Sequence, residues 1–255
     1  MDYFRGFFQK PCSSPGEAAA GSAQEPADEQ PLDGGEPRGA DKLMRCILQD
    51  DAKAVEELLR QGVSANEVYN VKSVTCTPLA KAAENAFVEV ARLLLEARAD
   101  ANQEVTLDNW AGTERVFMGR GRPPLLWALA SQDAGRRAEV VKMLLRARAD
   151  VNWRSDRGAN ALMKATEAGH GEDAVRVLLG ARVDVDCADD AGNTALCLAV
   201  TSRNAAALGA LLEAGATVNV ENSDGSTPLL FAARSGNVKV LSALLEVRAD
   251  VGHED

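Results

Sequence analysis

Histidine and aromatic side chains are scarce in this chain of 255 residues, and its positive charges are outnumbered by negative ones. Only two histidines occur, His170 and His253, and neither lies near cysteines or carboxylates at ligand spacing. A zinc site or a nucleophile, histidine and carboxylate triad therefore has no local support. Lys and Arg number 28 against 38 Asp and Glu, a formal net charge of −10. That balance argues against a nucleic-acid backbone or an anionic membrane surface as the main partner. No apolar run approaches the roughly 20 residues of a bilayer crossing, and the N-terminus carries no secretory h-region. The five cysteines, Cys12, Cys46, Cys76, Cys187 and Cys197, form neither a CxxC pair nor a dense framework. They read as reduced thiols, which places the chain inside the cell, in cytoplasm or nucleus. The Gly-rich GRGR at 119 to 122 lacks a following Lys-Ser or Lys-Thr and a preceding strand, so it is not read as a phosphate loop. Asp189-Asp190 reads as a solvated turn tip. No catalytic, cofactor or metal site is expected.

What is present falls into two regions. Residues 11 to 40 hold five Pro, five Gly and six acidic residues, with Leu32 as the only large aliphatic. Such a segment cannot bury enough surface to offset its ordering entropy, so 1 to 40 is expected to be a disordered tail and 41 to 255 the domain. Ahead of it, MDYFRGFFQK places Tyr3, Phe4, Phe7 and Phe8, four of the eleven aromatics, at the spacing of one helical face. One reading is a partner-docking or membrane-touching segment with Cys12 as an acylation site. The plainer reading, an end that packs on the domain or does nothing, is preferred, because ten residues make a marginal helix in water.

From Asp41 onward the chain repeats itself. Leu-Leu pairs stand at 58 and 59, 94 and 95, 144 and 145, 178 and 179, 211 and 212, and 244 and 245. Seven residues beyond each pair come Asn66, Asn102, Asn152, Asp186, Asn219 and Gly252, at intervals of 36, 50, 34, 33 and 33. A period of 33 with early insertions defines six units, 41–66, 67–102, 103–152, 153–186, 187–219 and 220–252. The clearest copy starts with an Asp224-Gly225 turn, then Thr227 as an N-cap before Pro228. Leu229, Ala232 and Ala233 mark a first helix; Val240, Leu241, Leu244 and Leu245 mark a second. Neither helix can bury its apolar face alone, so units must stack.

These residues resemble the ankyrin repeat family, whose unit reads roughly D-x-x-G-x-T-P-L-H-x-A-A-x-x-G-H, then V-V-x-L-L-L, then G-A-D-V-N. Thr77-Pro78-Leu79 and Thr227-Pro228-Leu229 match directly, Thr194-Ala195-Leu196 and Pro123-Pro124-Leu125 approximately, and Asn160-Ala161-Leu162 weakly. His170 falls at the family's Gly-His turn, whereas the family's His after Leu is replaced by Ala80, Leu126, Met163, Cys197 and Leu230. The resemblance implies an all-α repeat solenoid of helix-turn-helix units joined by β-hairpin-like loops. It also implies a non-catalytic module that binds another protein through its concave face and hairpin tips. Carried over unit by unit, it nominates Glu84 and Asn85, Ala130 and Ser131, Glu167 and Ala168, Thr201 and Ser202, and Arg234 and Ser235. At the tips it nominates Asp156, Arg157, Asp190, Ser223 and Asp224. Two other functions remain open: a structural tether, or a regulatory fragment of a larger, possibly enzymatic, protein.

Four departures stand out. Thirteen extra residues lie within 103 to 122, where Val105 and Leu107 facing Val116 and Met118 would form a β-finger. It is either a decorated hairpin or a binding finger with Trp110 and Arg115 as anchors. Four more extra residues fall within QDAGRR, 132 to 137. The last unit keeps Leu229, Leu230, Phe231, Leu241, Leu244 and Leu245, so its open face should be partly apolar: either the last helix has adapted, or a partner, a second copy or further repeats cover it. Finally, Arg98, Arg148, Arg182 and Arg248 stand where the family has Gly, and only Gly62 and Gly215 follow it. The preferred reading is a helix-ending joint, with positive φ at each arginine, rather than an arginine stripe for an acidic partner.

Overall fold

The capping threonines and the Leu-Leu pairs show where the helices start and what they bury. In the computed structural model, which describes residues 39–71, 74–105, 121–167, 172–247 and 249–250, each takes the place its spacing assigns. All of these residues lie in one compact unit, Pro37–Asp255. Among them are twelve helices: α1 (Gly39–Leu48), α2 (Ala52–Arg60), α3 (Pro78–Glu84), α4 (Val88–Glu96), α5 (Pro124–Leu129), α6 (Ala134–Arg146), α7 (Ala161–Glu167), α8 (Glu172–Gly180), α9 (Ala195–Thr201), α10 (Ala205–Glu213), α11 (Pro228–Ser235) and α12 (Val238–Glu246). Odd-numbered helices open the units and even-numbered helices close them.

Local chemistry sets the starts and stops. Thr77 Oγ1 accepts the Ala80 N–H at 3.1 Å and Thr227 Oγ1 the Leu230 N–H at 3.3 Å, each followed by a proline that needs no donor there. In the fourth unit Asn160 does the same work, its Oδ1 accepting the Met163 N–H at 2.9 Å. Four of the turns within units, those of α1–α2, α3–α4, α9–α10 and α11–α12, close on one left-handed residue each: Asp50 at φ +54°, Ala86 at +53°, Arg203 at +56° and Gly236 at +63°.

The odd helices pack in succession, α1 on α3, α3 on α5 and so on to α11, and the even helices form a second layer from α2 to α10. Ala82, Ala128, Ala165, Ala199 and Ala232 are buried in the odd layer, where a methyl group permits close helix approach. Leu94, Leu144, Leu178, Leu211 and Leu244 are fully buried in the even layer. Removing one such leucine to Ala costs about 2–5 kcal/mol.

The Asn column does more than mark the period. Asn66 Oδ1 accepts the Asp100 N–H at 2.7 Å while its Nδ2 donates to the Arg98 carbonyl at 3.1 Å. Asn102 repeats both bonds one unit on, to Asp150 N–H at 2.7 Å and the Arg148 carbonyl at 3.0 Å. Asn152 accepts from Asp184 N–H at 3.0 Å, and Asn219 from Asp250 N–H at 2.9 Å. In the one rung where Asp186 replaces Asn, Thr217 replaces Asp. Its N–H and Oγ1 both donate to the Asp186 carboxylate, at 2.8 and 2.6 Å. The exchange keeps two carboxylates from facing each other.

The arginines that stand in place of the family's Gly lie beside the same rungs. Arg98, Arg148 and Arg182 have φ of +63°, +63° and +59°, as the helix-ending reading expects; Arg248 lies outside the described residues. The two glycines in this column, Gly62 and Gly215, sit at +87° and +82°.

The insertions are accommodated differently. The second unit is lengthened by a short antiparallel hairpin, β1 (Tyr69–Val71) with β2 (Val74–Cys76), in which Tyr69 pairs with Cys76. The four residues near 132 to 137 do not form a longer loop: α6 runs 13 residues where the other even helices run nine, so they become an extra N-terminal turn. At the large insertion Val105 and Arg122 pair, exchanging N–H to carbonyl bonds of 3.2 and 3.0 Å. The rest of the expected finger, with Leu107, Trp110, Arg115, Val116 and Met118, lies outside the described residues.

Candidate partner-binding surface

The nominated side chains come from two places that the rungs hold in register: the last turn of each odd helix and the loop that opens each unit. In the second unit Asn85 is exposed, donating to the Lys81 carbonyl at 2.9 Å, and Glu84 is half-buried against the Lys81 ammonium at 2.8 Å. The fourth unit repeats the arrangement, with Glu167 exposed and paired to Lys164 at 2.9 Å; Ala168 lies outside the described residues. Thr201 and Ser202 are exposed at the end of α9, and both hydroxyls donate to carbonyls of their own helix, Thr201 to Cys197 at 3.1 Å and Ser202 to Leu198 at 2.6 Å. On α11, Arg234 is exposed and donates to Ser226 Oγ at 3.3 Å, while the half-buried Ser235 hydroxyl donates to the Ala232 carbonyl at 2.9 Å.

The third unit breaks this series. Ser131 is only 3 % exposed, so it offers a partner no side chain and is removed from the candidates; Ala130 beside it is half-buried. The extra turn of α6 is the cause. Arg137, 2 % exposed, folds over the end of α5 and donates from Nε to the Ser131 carbonyl at 2.9 Å. Burial lowers the pKa of its guanidinium, and the Asp133 carboxylate works in the opposite direction. The cation caps a helix C-terminus, where the first, second, fifth and sixth units use a left-handed turn residue.

The tips are linked to one another. The Asp190 N–H donates to the Arg157 carbonyl at 3.0 Å and the Ser223 N–H to the Ala191 carbonyl at 2.9 Å, which ties three successive loops through backbone alone. Asp156, Arg157, Asp190, Ser223 and Asp224 are all exposed. Arg154, which composition gave no reason to single out, is the local organiser: Nε donates to the Gly158 carbonyl at 3.0 Å and Nη2 to the Ala188 carbonyl of the next loop. Gly158, at φ +73°, passes so near that a Cβ would meet Asp190 Oδ1 at 2.9 Å.

Residues absent from the sequence-level candidates hold the base of the large insertion. Trp127 Nε1 donates to the Arg122 carbonyl at 3.2 Å, and the Arg122 guanidinium lies 5.8 Å from the centroid of the same ring. Trp153 Nε1 donates to Glu104 Oε1 at 2.7 Å. Gly121 packs so close to Glu104 that a Cβ would meet the Glu104 Cβ at 2.8 Å. Two of the three tryptophans are therefore buried in scaffolding rather than displayed.

Among the described residues no group of three or more His, Cys, Asp or Glu could hold a metal ion, and no helix is long and apolar enough to cross a membrane. Cys46, Cys76, Cys187 and Cys197 are free thiols. Desolvation pushes the Cys76 and Cys187 thiols up, away from the reactive thiolate form. A family model described as ankyrin repeats in three copies matches residues 43–154, 125–222 and 162–255. No curated protein matches the chain.

Proposed function

The chain belongs to the ankyrin repeat family, and we propose that it is a non-catalytic binding module that holds a partner protein on its concave face, formed by odd-helix ends and loop tips. Repeats of this family generally mediate protein–protein interaction and are typically non-catalytic. One observation supports this reading above the others: the exposed polar side chains Glu167, Thr201 and Arg234 recur at one register of the last three units, on a backbone fastened by side-chain rungs between units. Such a surface meets a ligand with little ordering cost. Its contacts would come from Glu84, Asn85, Glu167, Thr201, Ser202, Arg234 and Ser235, with Asp156, Arg157, Asp190 and Asp224 at the tips. Glu84 and Glu167 already have lysine partners within their own helices, so the charge they present is partly neutralised. That mixture favours a separable complex over an obligate one.

The test is a set of photo-crosslinking residues placed one at a time at Thr201, Arg234 and Asp190, with Glu139 and Lys239 on the even layer as controls. Adducts with a protein partner are expected from the first set. Adducts confined to the even layer, or spread evenly over both, would sink the proposal. A parallel variant with residues 106–120 replaced by a short turn separates the contribution of Trp110 and Arg115: loss of adducts there assigns them a share of the contact.

A further inference from the structure

The six units allow the same position to be compared down the stack, and the comparison assigns a direction to each even-helix column. Val90, Val140, Ala174, Ala207 and Val240 are buried, and so are Leu94, Leu144, Leu178, Leu211 and Leu244; their counterparts in the first unit, Ala54 and Leu58, are only half-buried. That column is covered by the preceding unit. The neighbouring column behaves in the opposite sense. Val55, Ala91, Val141, Val175 and Leu208 are buried, whereas Leu241 in α12 is half-buried. Leu245 is 44 % exposed where Leu95, Leu145, Leu179 and Leu212 are half-buried. On the odd helices Ala83, Leu129, Thr166 and Val200 are buried, but Ala233 is exposed. This second column is covered by the following unit.

The α1–α2 face and the α11–α12 face therefore correspond by position to the two halves of the junction that the molecule makes between each unit and the next, with Lys42 and Glu57 on the first standing where the second unit has Pro78 and Leu93. One half is an open groove of about 340 Å³ between α1 and α2, lined by Lys42, Arg45, Cys46, Ala54, Glu57 and Leu58. The other is the apolar face of Ala233, Leu241 and Leu245 on α11 and α12. We propose that a second copy of this chain docks its α1–α2 groove onto the α11–α12 face of the first, head to tail, repeating the internal junction between molecules. The contact joins unlike surfaces, so the assembly as a whole keeps one free face of each kind at its two ends, and association is open-ended. It does not involve the odd-helix ends and tips proposed for the partner, so the two readings stand or fall separately.

Sedimentation velocity on the full chain, from ~1 to ~200 µM, reads the result directly, since that range covers micromolar self-association. Species larger than dimers are expected at the top of that range. Leu245→Glu blocks the apolar face and Ala54→Arg fills the groove; each variant alone should sediment as a monomer, with association weakened at least about tenfold. An equimolar mixture of the two retains one good face of each kind and should form a one-to-one dimer and nothing larger. Ala233→Arg and Cys46→Arg replace them if either fails to match the far-ultraviolet dichroism of the parent. A parent chain that stays monomeric throughout, a single variant that still associates, or a mixture that stays monomeric overturns the proposal. Dimers that persist in Ala54→Arg alone would point to a symmetric contact and overturn it equally.

Discussion

At Arg98, Arg148 and Arg182 a long cationic side chain occupies backbone that glycine takes without strain. A side chain with φ near +60° costs on the order of 1 kcal/mol, and a cation at a helix C-terminus returns about 0.3 to 1 kcal/mol. Replacing all three by Gly is expected to raise stability by about 1–2 kcal/mol, read as a higher urea midpoint at unchanged m value. A lower midpoint would mean that these guanidiniums contribute more than their backbone costs. The arginine column itself was legible as a repeat and, through the family's Gly, as a joint. Its fastening was not: nothing in the spacing says that Asn66 and Asn102 reach 32 and 46 residues ahead to the carbonyls of Arg98 and Arg148. Side-chain bonds between units depend on the stacking geometry, which appears only once the helices are assembled.

At the scale of single elements, α6 is where pattern and structure part. Four surplus residues between two helical patterns read as loop, because loops are where insertions are cheap. Here AGRR follows Asp133, whose carboxylate accepts the Arg136 N–H at 3.0 Å, so the surplus starts a helix one turn early. Arg137 then lands over the end of α5 and buries Ser131 with it. A residue nominated from register alone was lost because its unit has a different turn. Arg137→Ala is expected to cost about 2–4 kcal/mol, from the lost charge-assisted bond and the volume it leaves, in denaturant titration. A change below about 0.5 kcal/mol, the range of ordinary surface substitutions, would show that the guanidinium has no capping role. The odd helices were easier to read, since Thr77-Pro78 and Thr227-Pro228 carry their start signals in two adjacent residues.

For the whole molecule, stability is a sum of unit terms and nearest-neighbour junctions rather than one global core. Units with two neighbours have both columns covered; the unit of α11 and α12 has one face open. At concentrations low enough to prevent association, amides of α11 and α12 should exchange with deuterium at least about tenfold faster than those of α7 to α10. Uniform protection across the helices would mean that the stack opens only as a whole. The repeat period and the apolar face of the last unit could be read from the chain because each rests on residue type at fixed spacing. The linkage of the tips through Arg154 could not, because its acceptors are backbone carbonyls in two different loops.

The clamp of Val105 on Arg122, with Trp127 and Trp153 holding its two arms, has a consequence for how this protein could be remodelled. Both strands of the connection are fixed before residue 106 and after residue 120, so the repeat register does not depend on what is spliced between them. Each doubling of a flexible loop's length adds only about 0.6 kcal/mol of closure cost. The position is a natural grafting port: foreign sequences of quite different length could be displayed there while the rungs on either side keep their spacing.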